Sequence, residues 1–278
     1  MGYLGLLSYK EKLLLAVSYL PWKFQKFCPG YLREMKDVSL KAKTVGFQIE
    51  TEDGLVRFNR KGEKYYLRKG STDFLVFEQV ILNKEYSEIV NYIDAIGKTS
   101  SIKTIIDAGA NAGYTSRFLS KSFFGSKILA IEPDKGNLDV LRKNVLLDET
   151  TKVEILEGGL WFEDSYLKID HSFRDGREWS LTLVTAEKNE VDAIPCYGLK
   201  SAISKLGVTE IDLLKIDIEG GEQPIFENWA KNSNDLLLVK NIAIEIHDEV
   251  ANRLMICDVL KEAGFKLKEI GETTFGFR

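Results

Sequence analysis

The apolar residues of this 278-residue chain follow two different spacings over its second part, residues 98–278. Short apolar runs, typical of buried strands, alternate there with segments in which apolar residues recur every three or four positions, as in amphipathic helices. The predicted strands are Ile102–Asp107, Ile128–Glu132, Val153–Leu156, Ile211–Asp217, Ile242–Ile246, Phe265–Ile270 and Thr274–Phe277. The predicted helices are Tyr114–Lys121, Gly136–Leu147, Leu199–Leu206, Gln223–Ala230 and Val250–Ala263. This alternation predicts an α/β fold with a mostly parallel sheet and helices on both faces.

Residues 1–97 have a different pattern, and we predict that they form an extension in front of the domain at 98–278. Residues 1–44 predict one or two helices. Residues 45–69 predict a small β-hairpin unit, because Asp53-Gly54 lies between short alternating runs. The segment 74–96 predicts a helix that is interrupted near Asn83. Residues 158–195 predict strands or loops inserted over one face of the main domain.

The junction between the first predicted strand and the first predicted helix of the main domain has an unusual composition. Asp107 ends the strand, and Gly109 and Gly113 follow on either side of Ala110 and Asn111. Glycines allow a sharp turn and a close approach of the backbone to a ligand. The helix that begins at Tyr114 offers free N–H groups. Because ligands of parallel sheets bind at the carboxyl ends of the strands, we predict a binding site here.

Composition and charge limit the possible partners and compartment. The net charge of −4 gives no general basic field, so we predict no nucleic-acid partner. Residues 1–44 carry an excess of five positive charges. They predict either a helix packed on the domain or a peripheral membrane contact, and both remain open. Three distant cysteines and the lack of a secretory signal predict a cytoplasmic location, with a position peripheral to the membrane as the open alternative.

The second predicted strand narrows the ligand to a nucleoside. Glu132 ends that strand, where an acidic side chain binds ribose hydroxyls in mononucleotide-binding folds. The glycine loop lacks both the dinucleotide and the P-loop spacing, and an acidic residue before the loop disfavours a pyrophosphate. S-adenosylmethionine, with its ammonium and sulfonium, satisfies these requirements. The alternative is that Asp107 and Glu132 are strand-end carboxylates without a ligand.

Five motifs together resemble the FkbM-type S-adenosylmethionine-dependent methyltransferases. They are D-x-G-A-N-x-G-Y at 107–114, E-P-D at 132–134, Leu141 with Asn144, K-I-D-I-E-G-G-E at 215–222 and E-I-H at 245–247. The resemblance implies a class I Rossmann-like methyltransferase with a seven-stranded sheet whose last strand is antiparallel. It also implies O-methylation of a sugar, a glycan or a similar small-molecule acceptor. Gly221 replaces the alanine that most members have, which we expect to be a minor departure.

The predicted site residues divide into a cofactor set and a catalytic set. The cofactor set consists of Asp107, Gly109, Ala110, Asn111, Gly113, Tyr114, Glu132 and Pro133. The catalytic set is Asp217 and His247, which end the fourth and fifth strands. His247 is predicted to act as a base or to hydrogen-bond the acceptor, unless it is only bonded to Glu245 or Asp248.

Several roles near the catalytic set stay open. A divalent metal held by Asp217, Glu219, Glu245 and His247 is possible, and the sequence does not choose between a base and a metal. Lys215 is predicted to pair with Asp217 or Glu245, and Glu222 to benefit from the dipole of the helix that it opens. His171 is expected at the surface, and Trp161 and Trp179 in the core rather than in a sugar-stacking wall.

Three functions remain after these predictions. The first is O-methylation of a hydroxylated acceptor. The second is N-methylation or protein methylation on the same scaffold, and the third is a non-catalytic, membrane-associated binding module. The intact Asp107, Glu132 and Asp217 argue against the third. Acceptor choice is expected to depend on residues 1–97, on the 158–195 insert and on the sheet edge near Asp217 and His247.

Overall fold

The computed structural model describes residues 2–19, 28–146, 152–170, 182–231 and 234–278. Its strands are β1 (Gln48–Glu52), β2 (Leu55–Arg60), β3 (Glu63–Leu67), β4 (Thr104–Ala108), β5 (Lys127–Glu132), β6 (Lys152–Glu157), β7 (Gly159–Leu160), β8 (Ser165–Asp170), β9 (Thr182–Thr185), β10 (Ile194–Tyr197), β11 (Leu213–Ile216), β12 (Asn241–Glu245), β13 (Lys266–Ile270) and β14 (Thr273–Phe277). Its α-helices are α1 (Tyr9–Val17), α2 (Gly30–Thr44), α3 (Asp73–Phe77), α4 (Ser87–Ala95), α5 (Tyr114–Ser122), α6 (Lys135–Val145), α7 (Leu199–Lys205), α8 (Glu222–Lys231) and α9 (Arg253–Glu262).

The main sheet has seven strands in the order β13-β14-β12-β11-β4-β5-β6. The central pairs are parallel, and β14 runs antiparallel to both of its neighbours. Ile105 and Ile106 point to opposite faces and belong to two different hydrophobic clusters. One cluster includes residues of α5, and the other includes residues of α7, α8 and α9. The predicted fold class, a mostly parallel seven-stranded sheet covered on both faces, is therefore confirmed.

The described residues of the extension, 2–19 and 28–97, pack on the α5 face of this sheet. As predicted, β1, β2 and β3 form a small antiparallel sheet. Phe77 and Tyr65 of the extension contact the ring of Tyr114 at centroid distances of 5.7 and 6.3 Å. The side chain of Asn144 accepts a hydrogen bond from the Tyr66 backbone N–H (2.8 Å). Extension and main domain thus share one core cluster, and a domain boundary at residue 97 stays a prediction.

The predicted helix over 74–96 is divided into two parts. A π-helical turn, Glu78–Leu82, follows α3, and α4 begins only at Ser87. Between them, Lys84 adopts a left-handed backbone conformation with a φ of 55°. The break was predicted near Asn83, and it turns the following residues, Glu85 and Tyr86, towards the carboxyl edge of the main sheet.

The described residues of the insert over 158–195, together with Cys196 and Tyr197, form a four-stranded sheet in the order β7-β10-β8-β9. Gly158 leads from β6 directly into it, and its N–H donates to the carbonyl oxygen of Glu132 (3.0 Å). The insert therefore lies beside the carboxyl end of β5. Two predictions made for this segment, on His171 and Trp179, lie outside the described residues.

Two predicted strands end earlier than expected. The fourth ends at Ile216 and the fifth at Glu245, so Asp217 and His247 lie in the loops that follow. The chain turns after Ile216 because Glu219 and Gly220 both adopt positive φ angles, 54° and 95°. No helix of the described residues is long and apolar enough to cross a membrane.

Candidate active site

A cavity of about 500 Å³ opens at the carboxyl edge of the main sheet. The loops after β4, β5 and β11 form its floor and two of its sides. The extension contributes a wall that includes Glu85 and Tyr86, and the insert contributes another that includes Leu160 and Trp161. The cavity lies where ligands of parallel α/β sheets bind, and both segments expected to select the acceptor line it.

The glycine loop after β4 has the conformation that its sequence demands. Gly109 has a φ of 76°, and a Cβ atom there would overlap the carbonyl oxygen of Asp217. Gly113 has a φ of 83° and comes immediately before α5, where a Cβ atom would lie 3.1 Å from a methyl group of Val145. Both glycines are required by neighbouring protein segments, in addition to any ligand. The loop between them holds Ala110 and Asn111 against the cavity.

Glu132 is buried at the end of β5 and is fixed by its neighbours. Its carboxylate accepts hydrogen bonds from the backbone N–H groups of Asn111 (2.9 Å) and Asp134 (2.8 Å) and from the side chain of Asn137 (3.1 Å). Burial raises the pKa of this carboxyl group above its ordinary value, although these hydrogen bonds oppose the shift. Glu132 thus connects the glycine loop to the start of α6 and faces the cavity.

Five of the eight predicted cofactor residues line the cavity, and three lie behind it. The five are Gly109, Ala110, Asn111, Glu132 and Pro133. Asp107, Gly113 and Tyr114 are placed one layer deeper. The buried hydroxyl of Tyr114 donates to the carbonyl oxygen of Tyr66 (2.8 Å), so this residue attaches the extension to α5.

Asp107 is part of a buried charge group with Lys215. Its carboxylate accepts from the hydroxyl of Ser116 (2.6 Å) and lies 3.2 Å from the Lys215 ammonium. The same ammonium lies 3.4 Å from Asp217 and donates to the carbonyl oxygen of Gly109 (2.9 Å). Burial acts to lower the pKa of Lys215, but Asp107 and Asp217 outweigh it and hold the pKa well above its usual range. Lys215 therefore joins the loops after β4 and β11.

The sequence prediction for Lys215 found one of its two partners. Asp217 was a predicted partner, whereas Asp107 was assigned to the cofactor. Asp107 and Lys215 are directly opposite in the parallel pair of β4 and β11. A signal for this pair existed in the strand order of the fold, since the fourth strand of this topology lies next to the first.

His247 is bonded to Glu222, not to the predicted Glu245 or Asp248. Its Nδ1 lies 3.1 Å from a carboxylate oxygen of Glu222, and its Nε2 lies 3.5 Å from Glu219 and 3.9 Å from Asp217. The hydrogen bond to Glu222 raises the pKa of the imidazole to about 9 against the effect of burial, and the other two carboxylates add to it. At neutral pH the ring is therefore a cation, which cannot accept a proton.

Glu222 does more than open α8. Its fully buried carboxylate accepts from the backbone N–H groups of Ile218 (3.2 Å) and Gly220 (2.8 Å). It therefore fixes the loop that carries Asp217 and Glu219, while it also orients His247. His247 is not among the residues that line the cavity. Its ring therefore supports the loop from the side that faces away from the cavity.

A possible metal site coincides with this ion-pair group. Asp217, Glu219 and His247 each offer one ligand atom within 4.8 Å of the others. Glu245 does not belong to the group. A protonated imidazole between carboxylates accounts for the same arrangement without a metal ion. A metal-bound histidine has to be neutral, so the two states exclude each other. A divalent metal thus stays a prediction.

The far end of the cavity is acidic. Glu85 and Glu245 line it, and neither carboxylate has a hydrogen bond or an ion pair within the described part of the chain. Burial raises the pKa of Glu245 to about 7, and the charges of Asp217 and Glu85 add to the effect. Burial likewise raises the pKa of Glu85. The sequence prediction missed Glu85, whose only signal is its position in the break of a predicted helix.

Comparison with known proteins covers most of this region. The sequence profile of the family described as Methyltransferase FkbM domain matches residues 107–267. Methyltransferase sdnD of Sordaria araneosa is 27% identical over 219 residues, which are 66% of this chain and 81% of that protein. Methyltransferase 1 of Beauveria bassiana strain ARSEF 2860 is 24% identical over 181 residues, which are 58% of this chain and 71% of that protein.

Solved structures are similar at a lower level. Magnesium protoporphyrin IX methyltransferase (ChlM) of Synechocystis PCC 6803, solved with bound SAM, gives a TM-score of 0.41 at 11% identity, covering 68% of this chain and 75% of that one. Monomeric WbdD gives a TM-score of 0.41 at 13% identity and covers 72% of this chain. This chain spans only 40% of the length of WbdD.

Proposed function

The chain belongs to the FkbM methyltransferase domain family, and from this membership we propose that it methylates a hydroxyl group of a sugar, a glycan or a similar metabolite. S-adenosylmethionine is the methyl donor expected for the family. The proposal rests on one observation in particular. A single cavity joins a nucleoside-type end, at Asn111 and Glu132, to an acidic end, at Glu85 and Glu245.

The residues at the nucleoside end fit this donor. The side-chain oxygen of Asn111 is buried, and within the described part of the chain it has no hydrogen-bond partner. A hydrogen-bond donor of a bound nucleoside would satisfy this buried acceptor. Glu132 is held by three hydrogen bonds, but a carboxylate has about four acceptor positions, so capacity for a ribose hydroxyl remains. Gly109 allows the backbone to approach the ligand closely.

Asp217 is the side chain that we propose to receive the acceptor hydroxyl. When bound, the donor supplies an electrophilic methyl group, which reacts by in-line displacement, so placement of the hydroxyl supplies much of the rate. Asp217 lines the cavity between its two ends, and Lys215 holds one of its oxygens at 3.4 Å. The remaining lone pairs of Asp217 are available to accept from the hydroxyl. His247 supports this loop as a cation, so we replace its predicted role as a base by a positioning role.

Isothermal titration calorimetry with S-adenosylmethionine and S-adenosylhomocysteine tests the donor assignment. We expect both to bind, and no binding would remove the proposal. Release of S-adenosylhomocysteine with a panel of hydroxylated acceptors then tests the reaction. Parallel assays with and without EDTA test the predicted metal. Methylation of amines or proteins in place of hydroxyls would favour the alternative N- or protein methyltransferase.

We also propose a peripheral membrane contact through residues 1–44, on a separate observation. Helix α1 exposes Tyr9 and Leu13, whose exposed fractions are 79% and 54%, next to the exposed Lys10 and Lys12. Apolar and basic side chains on one helix face suit an anionic lipid surface. The aromatic residues Trp22 and Phe24 lie outside the described residues. Co-sedimentation with phosphatidylserine vesicles tests this contact, and equal sedimentation of wild type and Leu13→Glu would contradict it.

A further inference from the structure

The carboxylates that line the cavity differ in whether the protein neutralises them. At the nucleoside end, Asp134 caps α6 by accepting from the Asn137 N–H (2.8 Å), and Glu132 is hydrogen-bonded as described. At the acidic end, Lys215 is the single cationic side chain among the described residues that line the cavity, and it is already shared by Asp107 and Asp217. Within the described part of the chain, Glu85 and Glu245 form no ion pair, and Lys215 acts on both only from a distance.

The position of these two carboxylates makes their charge costly. Both are partly buried and line the cavity together with Asp217. A ligand that fills the cavity removes water from them. A carboxylate that loses its water either takes up a proton or pairs with a positive charge, which an ammonium group of the ligand would supply. S-adenosylmethionine carries one net positive charge, and Glu219 has His247 at 3.5 Å, so Glu85 and Glu245 are the two carboxylates left for an acceptor to pair with.

Glu245 ends β12 and Glu132 ends β5, and β11 and β4 lie between these two strands in the sheet. Glu85, from the extension, lines the cavity as well. On this geometry we propose that the acceptor carries an ammonium group, as in an amino sugar, which binds to Glu85 and Glu245 while a hydroxyl faces Asp217. This proposal rests on the proposed methyltransferase function and specifies its substrate class. The same carboxylates repel an anionic acceptor, which gives discrimination in both directions.

Three hexoses that differ in charge provide the test. Glucosamine, glucose and glucuronate are titrated calorimetrically into the complex with S-adenosylhomocysteine. We expect glucosamine to bind about tenfold more tightly than glucose, because a hydrogen bond to a charged group is worth more than one to a neutral group. Glucuronate should bind most weakly. Glu85→Gln and Glu245→Gln should each remove most of the preference for glucosamine.

Glu249→Gln is the matched control, since it removes an equal charge from an exposed side chain that does not line the cavity. It should leave the preference unchanged. Equal affinities for the three sugars, including undetectable binding of all three, would overturn the proposal. So would a preference that survives both cavity substitutions, or one that MgCl₂ or MnCl₂ abolishes, because a metal would then be the counter-ion. Failure of S-adenosylhomocysteine to bind would instead remove the proposed function.

Discussion

Replacement of His247 by glutamine should lower stability at pH 6 and change it little at pH 10. Glutamine is polar and of similar size, so it retains a hydrogen-bond donor towards Glu222 and removes the positive charge. In the folded protein the pKa of His247 is raised from 6.5 to about 9, with the hydrogen bond to Glu222 as the main cause. At about 1.4 kcal/mol per pKa unit, this difference corresponds to roughly 3 kcal/mol of stabilisation by the charged form.

The sign of the effect follows from proton binding. The folded state holds its proton more tightly than the unfolded state, so the stabilisation is fully present below pH 6.5. It is lost as the pH rises towards about 9, where the folded protein also releases the proton. Glu245, whose pKa is raised to about 7, titrates within the same range. The charge of His247 acts to lower the pKa of Glu245, so the loss of this attraction in His247→Gln adds to the difference between variant and wild type.

Urea unfolding followed by tryptophan fluorescence provides the measurement, with EDTA present at pH 6, 8 and 10. The free energy of unfolding of wild type minus that of His247→Gln should be largest at pH 6 and should approach a small constant at pH 10. A difference that is independent of pH would refute the cationic state of His247. It would then restore the ring as a candidate base.

Three further substitutions test other parts of the site. Glu132→Gln should weaken S-adenosylhomocysteine binding about 10- to 100-fold in calorimetry, since hydrogen bonds to charged groups are worth about 1.5–3 kcal/mol. Glu157→Gln is the control: this residue lies at the exposed end of the next strand, and its substitution should have no effect. Gly109→Ala should destabilise the fold by at least about 3 kcal/mol, because its Cβ overlaps a carbonyl oxygen. In Gly125→Ala only the positive φ is strained, so the loss in urea unfolding should be about 1 kcal/mol. Lys215→Met should cost roughly 3–5 kcal/mol in the same assay, because it leaves a buried carboxylate without its cation.

Each of these results has a clear contrary outcome. Equal binding by Glu132→Gln and wild type would place the nucleoside elsewhere. Equal losses in Gly109→Ala and Gly125→Ala would mean that close contact with the β11 loop does not require glycine. Full stability of Lys215→Met would mean that the ion pair between Asp107 and Lys215 does not stabilise the fold.

The fold was predictable because its central strands are mostly apolar. Strands buried on both faces, such as Ile105 to Ala108 and Leu213 to Ile216, appear in the sequence as apolar runs with one charged residue each. Helices between them carry apolar residues on one side only. The nucleoside end was also predictable, since Gly109 and Glu132 occupy strand ends, and parallel strands bring those ends together.

The charge pairs of the site were not predictable to the same extent. His247 contacts Glu222, which is 25 residues away in sequence and lies at the start of a helix on a different strand connection. Both Glu222 and the predicted partner Glu245 are glutamates near a strand end, and only the turn at Glu219 decides which one reaches the ring. Glu85 enters the cavity because the helix breaks beside a π-helical turn, a feature that apolar periodicity does not specify.

Charge pairing therefore separates the acidic residues of this site into two groups. Asp107 and Glu222 are fully buried and are bonded to the cations Lys215 and His247, so they hold the loop after β11 that carries Asp217 and Glu219. Acids of this kind stabilise the site whether or not a ligand is present. Glu85 and Glu245 have no such partner in the described part of the chain, and unpaired carboxylates in a cavity are typical of functional sites. The positions of the cations Lys215 and His247 therefore distinguish the structural acids from the acids that we propose to face the acceptor.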